Sequence, residues 1–407
     1  MRTDFDVLIA GGGLNGPCLA LALADAGLRV AVVDPRPADA RAGEAFDGRA
    51  YALAIASQRL LKALGLWDGL AGNSQPIMQV IASQGVPGEG AAPFHLHFDS
   101  AEIEEGPVGF MLEDRFLYRA LLAGMADKVT HLPGRSVVAQ EAGAVAVTAG
   151  LSDGRELTAR LLVGADGRAS GVADRAGIAR RGRDYGQTAL VAAIDHELPH
   201  HGIAHQYFMA TGPLAILPLP GNRSSVVWSE TRQNAQAIGA LPDDAFLDVL
   251  RPRFGDFLGT LSLAGGRFSY PLSLSLADDY IAPRIALVGD SAHGVHPIAG
   301  QGLNLGLRDV AALAETVADA ARRGEDFGAT DVLERYQRWR RFDATALALG
   351  MDMVNQLFAN DNPLLRTLRG LGMGAVTAIP ALRRGFMRQA AGLAVTPMPR
   401  LLAGRPL

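Results

Sequence analysis

The order of apolar and polar positions at the start of the chain predicts a strand, a helix and a second strand. Residues 5–10 form an apolar run suited to a buried strand, residues 17–26 are rich in Ala and Leu, and residues 29–33 form a second apolar run. Glycines separate the first run from the helix, Gly27 follows the helix, and Asp34 ends the second run. Residues 5–35 therefore predict a βαβ unit with parallel strands.

Short strand-like runs and helical patterns alternate along the rest of the chain. Strand-like runs punctuated by Gly and Pro occupy residues 75–110, 129–163 and 175–275, and a short buried strand returns at 285–288. Helical patterns lie at residues 55–64, 113–127, 307–323, 331–353, 363–371 and 380–392. We interpret this as an α/β fold with a discontinuous nucleotide-binding domain (residues 1–74, 111–175 and 276–325). A mixed β-sheet domain (75–110 and 176–275) is inserted in it, and residues 326–407 form a helical C-terminal region.

Composition narrows the function classes. The chain of 407 residues is long enough for more than one domain, and its net charge of −4 does not supply the basic surface of a nucleic-acid-binding protein. Its single cysteine, Cys18, excludes an internal disulfide, a redox pair, a cysteine-based zinc site and an iron–sulfur cluster, and we predict that it is a buried small hydrophobe. No signal-peptide pattern and no apolar run of 18 residues is visible, so we expect a soluble cytoplasmic protein.

The first chemical motif is a glycine-rich turn between the first strand and the first helix, Gly11-Gly12-Gly13-Leu14-Asn15-Gly16. In such a G-x-G-x-x-G turn, Gly11 permits the tight turn, Gly13 lets the backbone approach a pyrophosphate, and Gly16 lets the helix pack on the strand. The pyrophosphate lies at the positive end of the helix dipole. Asp34, at the end of the second strand, is placed to bind a ribose hydroxyl. This motif predicts a dinucleotide but does not separate NAD from FAD.

Two later segments also place a turn after a strand. Residues 161–167 end in Gly164-Ala165-Asp166-Gly167, which by itself is an ordinary Asp-Gly turn. Residues 286–309 place Gly289-Asp290 after a short buried strand and then run through a glycine-rich turn into a long helix. The third segment offers a carboxylate for a ribose or ribityl hydroxyl, and its backbone amides can stabilise negative charge on a reduced flavin.

The three segments, in this order and at this spacing, resemble the class A flavoprotein aromatic hydroxylases, typified by para-hydroxybenzoate hydroxylase, over essentially all of residues 5–320. Within that group, three stretches resemble the branch that hydroxylates ubiquinone precursors. These are residues 47–53 (Asp-Gly-Arg-Ala-Tyr-Ala-Leu), residues 217–220 with 225–229, and residues 296–309 (His-Pro-Ile-Ala-Gly-Gln-Gly-Leu-Asn-Leu-Gly-Leu-Arg-Asp). Members of that branch are bacterial cytoplasmic enzymes, or mitochondrial ones in eukaryotes.

The resemblance implies a Rossmann-like FAD-binding domain and a set of site residues. It implies that some of them hold FAD outside its ring, or lie in the segment that the group uses near both FAD and NAD(P)H. These residues are Gly11, Gly13, Gly16, Asp34, Asp166, Gly167, Gly289 and Asp290. Those implied to lie near the flavin ring are Arg49, Pro297, Gly300, Gln301, Gly302, Leu303 and Asn304. The chain departs from many relatives at the start of the 113–127 helix, where Asp114-Arg115 stands in place of a flavin-contacting Arg or Gln.

The activity implied by the resemblance is hydroxylation of a phenol ring. NAD(P)H reduces non-covalently bound FAD, O₂ adds at the flavin C4a carbon to give a hydroperoxide, and the ring attacks its distal oxygen, so no side-chain acid or base is assigned. We expect a polyprenylated phenol of ubiquinone biosynthesis as substrate. The alternatives are a hydroxylase of a small soluble phenol and a non-catalytic flavoprotein subunit of a biosynthetic complex. This chain lacks the cysteine pair that a flavin disulfide reductase needs. It also lacks the Trp-x-Trp-x-Ile-Pro segment of flavin halogenases.

The remaining polar and aromatic residues allow weaker predictions. Tyr207, Phe208 and Trp228 are predicted either to line a substrate pocket or to pack in the core of the sheet domain. His293 and His296 have the spacing of two metal ligands, but they belong to the flavin segment, so no metal site is predicted. The basic and apolar helix at 380–392 indicates either a solvated helix or a peripheral contact with a membrane or a biosynthetic complex.

Overall fold

The computed structural model describes residues 3–37, 40, 43, 46–86, 90–296, 300–358, 372–374 and 376–407. The strands are β1 (Phe5–Ala10), β2 (Val30–Asp34), β3 (Ala50–Ala54), β4 (Ser74–Ile77), β5 (Gln79–Val86), β6 (Gly90–Asp99), β7 (Gly109–Glu113), β8 (Thr130–Pro133), β9 (Val137–Ala142), β10 (Val147–Leu151), β11 (Glu156–Gly164), β12 (Arg180–His196), β13 (Ile203–Met209), β14 (Gly212–Leu219), β15 (Arg223–Thr231), β16 (Leu261–Ala277), β17 (Ile281–Ala282), β18 (Ile285–Leu287) and β19 (His293–Gly294). The helices are α1 (Asn15–Asp25), α2 (Ile55–Ala63), α3 (Trp67–Leu70), α4 (Asp114–Met125), α5 (Gly171–Arg175), α6 (Arg232–Gly239), α7 (Asp243–Phe254), α8 (Gln301–Arg322), α9 (Thr330–Phe358) and α10 (Pro380–Ala390).

A first sheet carries the βαβ unit predicted from the opening residues. Its strand order is β17-β18-β11-β1-β2-β8, and β1 pairs in parallel with both β11 and β2. Strand β2 and the carboxyl ends of β1 and β11 are fully buried because α1 and α8 pack against each other and enclose the core that these strands share. Segments from distant parts of the chain thus build one sheet, which confirms the predicted α/β fold.

A second, mixed sheet forms the other half of the molecule, with strand order β19-β16-β12-β15-β14-β13-β5-β6. Strand β5 pairs in parallel with β13, so residues near position 80 and residues 180–277 share one sheet. A small third sheet, β3-β7-β4, packs against the second one through Met111, Ile77 and Leu219.

The structure corrects the reading of residues 175–275 as strands and turns alone. Helices α6 and α7 lie between β15 and β16 and cover one face of the second sheet. Helix α7 follows Pro242, carries Asp243 and Asp244 in its first turn, and buries Phe246, Leu250 and Phe254 at helical spacing. This spacing was readable in the sequence, but the surrounding strand-like runs obscured it.

One further boundary differs from the predicted pattern, and one predicted helix cannot be compared. Helix α8 begins at Gln301, six residues before the predicted start at 307, so the end of the glycine-rich segment is helical. The predicted helix at 363–371 lies outside the described residues. Among the helices that the structure describes, none combines the length and apolar character needed to cross a bilayer.

Candidate active site

Three loops meet at one edge of the first sheet because three neighbouring parallel strands end in register. Ala10 of β1 lies opposite Gly164 of β11, and Gly164 lies opposite Leu287 of β18. The turns that carry Gly11, Asp166 and Gly289 therefore leave the sheet side by side. The crevice outside the carboxyl ends of parallel strands is where such sheets bind nucleotides.

The three glycines of the first turn meet different steric constraints. Gly11 has a φ of +117°, and a Cβ there would lie 2.2 Å from the backbone oxygen of Ala165 in the second loop. A Cβ on Gly16 would lie 1.9 Å from the backbone oxygen of Gly11. A Cβ on Gly13 would meet no atom within 4 Å. Gly11 and Gly16 are thus required by the protein's own packing, whereas Gly13 faces open space at the start of α1, where a pyrophosphate would lie.

Asp34 lies directly beside this turn at the end of β2. Its side chain is buried, its Oδ1 accepts a hydrogen bond from the backbone N–H of Arg36 at 2.9 Å, and its Oδ2 lies where a Cβ of Gly12 would be. The predicted ribose-binding carboxylate therefore abuts the glycine turn, as that role requires.

The second loop is tied to the third by Asp166. Its carboxylate accepts hydrogen bonds from the N–H of Val172 at 3.0 Å, which caps α5, and from the hydroxyls of Ser170 and Ser291. Ser291 in turn accepts a hydrogen bond from the N–H of Gly167 at 3.0 Å. Asp166 and Gly167 thus join two loops of the site, and this use of the carboxylate inside the protein was not evident from the sequence.

The third loop places Asp290 at the surface of the crevice. Asp290 is partly exposed and forms an ion pair with Arg168, whose Nε lies 3.1 Å from Oδ2. Arg168 also donates a hydrogen bond to the backbone oxygen of Val295 at 2.9 Å. Arg168 therefore holds the second and third loops together, and sequence reasoning had assigned it no role.

A buried charge network supports the third loop from behind. The Asp309 carboxylate accepts hydrogen bonds from the N–H of Gly289 at 2.9 Å and from Arg340 Nε at 2.8 Å, and it lies 2.5 Å from His293 Nε2. Burial by itself would raise the pKa of Asp309, but the neighbouring His293 and Arg340 lower it below its usual value. The network fixes the backbone of Gly289, and it accounts for His293 without a metal.

The loop expected to lie against the flavin ring continues into α8. Gly300 stands before the helix with a φ of +62°, Gln301 and Gly302 begin it, and Leu303 follows on its first turn. Pro297 lies outside the described residues. A Cβ on Gly300 would lie 2.9 Å from Ala52, so the protein's own packing requires that glycine, whereas a Cβ on Gly302 would meet nothing closer than Val295 at 4.0 Å. The N-terminus of α8 itself suits a negatively charged partner.

Asn304 has a different use from the predicted flavin contact. Its Oδ1 accepts hydrogen bonds from the N–H of Ala54 at 2.8 Å and the hydroxyl of Ser57 at 2.7 Å. Its Nδ2 donates to the backbone oxygens of Ala52 and Gly300. All four hydrogen-bonding positions of the amide are occupied. The side chain therefore joins α8 to β3 and α2 and fixes Gly300.

Arg49 lies between the two halves of the molecule. Its guanidinium pairs with Asp47 and lies 3.7 Å from the buried carboxylate of Asp114 and 6.0 Å from the centre of the Phe268 ring on β16. Burial by itself would lower the pKa of Arg49, but the two neighbouring carboxylates raise it above its usual value, so the guanidinium stays charged. Arg115 pairs with Glu113 at 2.6 Å and covers the ring of Phe116.

The predicted pocket residues do not share one face of the second sheet. Trp228 and Tyr207 lie in the core beneath α6 and α7. Phe208 points to the opposite face, where its ring stacks on Phe358 of α9 with centroids 4.2 Å apart. Trp228 and Tyr207 therefore pack in the core, as the alternative reading had it, and we do not retain them as pocket residues.

The face opposite Trp228 carries a row of half-buried residues with no charge. Val191, Val227, Ala215 and Gln206 are neighbours across β12, β15, β14 and β13, and we call them the open row. On one side of it, Leu217 and Leu219 pack against the small third sheet. On the other side, Phe208 is covered by α9. Between these two contacts, no described helix or strand packs on the open row in the core clusters, so it forms an uncharged surface on this face of the sheet.

The comparisons with known proteins agree with this geometry. A family model of the FAD binding domain matches residues 4–348. The chain is 46% identical to the ubiquinone hydroxylase UbiL of Rhodospirillum rubrum, over 99% of this chain and 93% of that one. It is 34% identical to the 3-demethoxyubiquinol 3-hydroxylase of Escherichia coli, over 95% of this chain and 98% of that one. The solved p-nitrophenol 4-monooxygenase PnpA of Pseudomonas putida superposes with a TM-score of 0.80 over 98% of this chain and 100% of that one; at 20% identity it shows the fold alone.

The fold, the three loops and the family match together define a flavoprotein oxidoreductase. The chain belongs to the FAD binding domain family, which confirms FAD as its cofactor. It is an FAD-dependent aromatic-ring monooxygenase.

Proposed function

We propose that this enzyme hydroxylates the ring of a polyprenylated phenol in ubiquinone biosynthesis, with NAD(P)H as reductant and O₂ as oxidant. Two relatives that match nearly the whole chain are named for hydroxylation of ubiquinone or its precursors. The observation on this chain that carries the proposal is the open row, whose residues bear no charge. An uncharged floor suits a ring without a carboxylate, since a buried carboxylate would need a cationic partner.

The residues at the edge of the first sheet fit FAD. The open space at Gly13 and the N-terminus of α1 suit the diphosphate, Asp34 suits the adenosine ribose, and Asp290 suits the ribityl hydroxyls once it is released from Arg168. When bound, the flavin supplies transfer of reducing equivalents and activation of O₂. The N–H groups near Gly300 and Gly302 would stabilise negative charge on its ring.

The chain's own contribution to the reaction is placement and exclusion of water. The open row would hold the phenol ring against the glycine-rich loop, and Phe208 with Phe358 closes one side of that space. Arg49, held by Asp47 and Asp114, spans the junction of the two halves and keeps its charge near the flavin end of the site. Water exclusion matters because it prevents loss of reducing equivalents as peroxide.

The test compares substrates on the purified, FAD-loaded enzyme. NAD(P)H-dependent O₂ uptake should produce a ring one oxygen atom heavier from a polyprenylated phenol in detergent, and not from 4-hydroxybenzoate. The gene should also restore quinone synthesis to a hydroxylase-deficient mutant. Normal turnover of a small soluble phenol, with no complementation at any ring position, would overturn the ubiquinone assignment. FAD binding without turnover of any phenol would favour a non-catalytic subunit.

A substitution in the open row sharpens this test. Val227→Glu would place a carboxylate on the apolar floor, so it should abolish hydroxylation while FAD remains bound. The control is Val138→Glu, which adds the same charge at an exposed position on β9 and should leave turnover unchanged. Full activity of Val227→Glu would mean that the substrate ring lies elsewhere.

A lipid-tailed substrate lies in the membrane, so the enzyme must contact the membrane to reach it. We propose that this peripheral contact is made through α10. Leu382 and Phe386 stand one helical turn apart on α10 and are each about half exposed. The arginines of this helix contribute less than the sequence indicated, because Arg383 pairs with Glu102 and Arg388 with Glu105. The proposal therefore depends on the apolar side chains rather than on net positive charge.

Vesicle sedimentation tests this contact. Wild-type enzyme should sediment with vesicles of phosphatidylglycerol and phosphatidylcholine, and the double variant Leu382→Ser/Phe386→Ser should bind them several-fold more weakly. Val145→Ser, which removes an equally exposed apolar residue on a distant loop, serves as the control. Equal sedimentation of the double variant and the control would exclude α10 as the contact.

A further inference from the structure

Unpartnered polar atoms are concentrated around His296, just before the glycine-rich loop. His296 is 1% exposed, and both of its ring nitrogens lack a hydrogen-bond partner. The Oδ1 of Asn355 is also buried without a partner among the described residues, and the buried hydroxyl of Tyr185 makes no well-aligned hydrogen bond, although the Asp352 carboxylate lies beside it. Each such atom costs about 1–3 kcal/mol when nothing compensates it. Several of them in one place indicate a site that a ligand completes.

The three side chains come from different elements that converge at this point. The His296 ring meets the Tyr185 ring edge-on, with centroids 5.2 Å apart. Asn355 lies on α9 and donates a hydrogen bond to Gln187 of β12, two residues beyond Tyr185. Asp352, one turn earlier on α9, pairs with Arg183 of β12. The cluster therefore lies between the loop before α8, the start of β12 and the end of α9.

The same two elements border the open row. Val191 of the open row lies four residues beyond Gln187 on β12, or roughly 13 Å along the strand. Helix α9 covers Phe208 beside the row through Phe358. An aromatic ring lying between the open row and the cluster can therefore direct one edge toward His296, Tyr185 and Asn355.

We propose that His296, Tyr185 and Asn355 form the polar end of the substrate pocket and bind the oxygen substituents of the aromatic ring. This deepens the proposed function by naming a substrate feature: a ring hydroxyl together with a second oxygen. The set supplies both hydrogen-bonding senses. A neutral imidazole offers one acceptor and one donor, the tyrosine hydroxyl donates or accepts, and the Asn355 carbonyl oxygen accepts from a hydroxyl.

The electrostatics of the cluster keep it neutral and ready for such a ligand. Burial, helped by the positive charge of Arg168, lowers the pKa of His296 to about 4. Burial and the nearby Asp352 carboxylate raise the pKa of Tyr185 above its usual value. At neutral pH the His296 and Tyr185 side chains are therefore uncharged, and the Asp352 carboxylate beside them is already paired with Arg183, which suits hydroxyl and ether oxygens better than a carboxylate.

The test measures binding rather than turnover. The probe is 2-methoxy-4-propylphenol, and its matched hydrocarbon is propylbenzene, each titrated into the FAD-loaded enzyme by calorimetry. Wild type should bind the phenol at least tenfold more tightly than the hydrocarbon. Tyr185→Phe should weaken phenol binding about fivefold and His296→Leu about tenfold or more, while the affinity for propylbenzene stays the same. The control is Tyr280→Phe, which removes an unpartnered buried hydroxyl that is not part of the proposed site and should change neither affinity.

Thermal unfolding separates a binding role from a structural one. Because His296→Leu removes two unpartnered polar atoms from a buried site, it should keep or raise the melting temperature while it weakens phenol binding. A lower melting temperature with unchanged phenol affinity would overturn the proposal. The proposal would also be overturned if every variant kept the wild-type preference for the phenol over propylbenzene, even if polyprenylated phenols are hydroxylated. If the variants lose that preference but no polyprenylated phenol is hydroxylated, this inference stands and the proposed function fails.

Discussion

At the scale of single residues, the glycine turn after β1 separates packing from cofactor binding. Gly11→Ala would combine a positive φ with a Cβ placed 2.2 Å from the Ala165 oxygen, so we expect it to lower the free energy of unfolding by at least about 2 kcal/mol. Gly13→Ala meets no protein atom, so the apoprotein should melt like wild type while its FAD dissociation constant rises about tenfold. Apoprotein melting and FAD titration distinguish the two. Normal FAD affinity in Gly13→Ala would place the diphosphate elsewhere.

A buried histidine makes stability depend on pH. His205 of β13 packs against Phe257, its Nδ1 lacks a partner, and burial lowers its pKa to about 4, from an ordinary value of 6.5. Between pH 6.5 and 4 the unfolded chain binds a proton here that the folded chain does not, so stability is lost as the pH falls through this window. His205→Leu should reduce proton uptake on unfolding by up to about one at pH 5. Urea unfolding of the wild type and of His205→Leu from pH 7 to 4.5 measures this difference. If the free energy of unfolding falls with pH in parallel for the two proteins, the prediction is refuted.

At the scale of elements, Asp309 of α8 joins the loop after β18 to α9. Asp309→Asn would remove the fully buried one of the two carboxylates that pair with the buried guanidinium of Arg340, and it would weaken the hydrogen bond that holds Gly289. We expect a loss of about 3 kcal/mol in stability, together with weaker FAD binding. Asp343→Asn is the control, since that carboxylate pairs with the same arginine but is a quarter exposed, and it should cost about 1 kcal/mol. Denaturant unfolding with and without FAD tests both. Equal costs would mean that the network does not depend on Asp309.

At the scale of the whole molecule, the cofactor site is built from three separated segments, and β12 and β16 lead from it into the second sheet. Free FAD at 100 times its dissociation constant should therefore stabilise the entire fold by about 2.7 kcal/mol. Trp228 reports this, because it lies in the second core and away from the three loops. In a variant whose other tryptophans are Phe, its fluorescence transition should shift to higher temperature with FAD. A transition insensitive to FAD would show that the two halves unfold independently.

The local parts of the site could be predicted from the sequence. The βαβ unit, the turns of the three loops and the positive φ of Gly11 depend on neighbouring residues, and the apolar runs and glycine spacing record them directly. Asp34 belongs to the same set, because its position at the end of β2 follows from the length of that strand.

The uses of several side chains could not be predicted, because they depend on contacts between distant segments. Asp166 binds Ser291, Asn304 binds Ala54, and Asp309 binds Arg340, and the chain separates these partners by 125, 250 and 31 residues. A sequence motif marks such residues without indicating whether a carboxylate or amide faces the cofactor or the protein. Helices α6 and α7 were missed for a related reason, since their apolar faces acquire meaning only against the sheet that they cover.

The sequence by itself determined that this chain folds as an FAD-binding α/β protein, because glycine turns and buried strands are encoded in consecutive residues. The tertiary structure alone decided which face of the second sheet is covered by helices, and hence which face we propose for the substrate. Val227 and Trp228 are adjacent in the chain, and successive side chains of a strand point to opposite faces. Helices α6 and α7 cover the face of Trp228, so the open row, with Val227 in it, lies on the opposite face. Period-two alternation assigns residues to two faces, but only the packing of other elements decides which face is filled and which remains open.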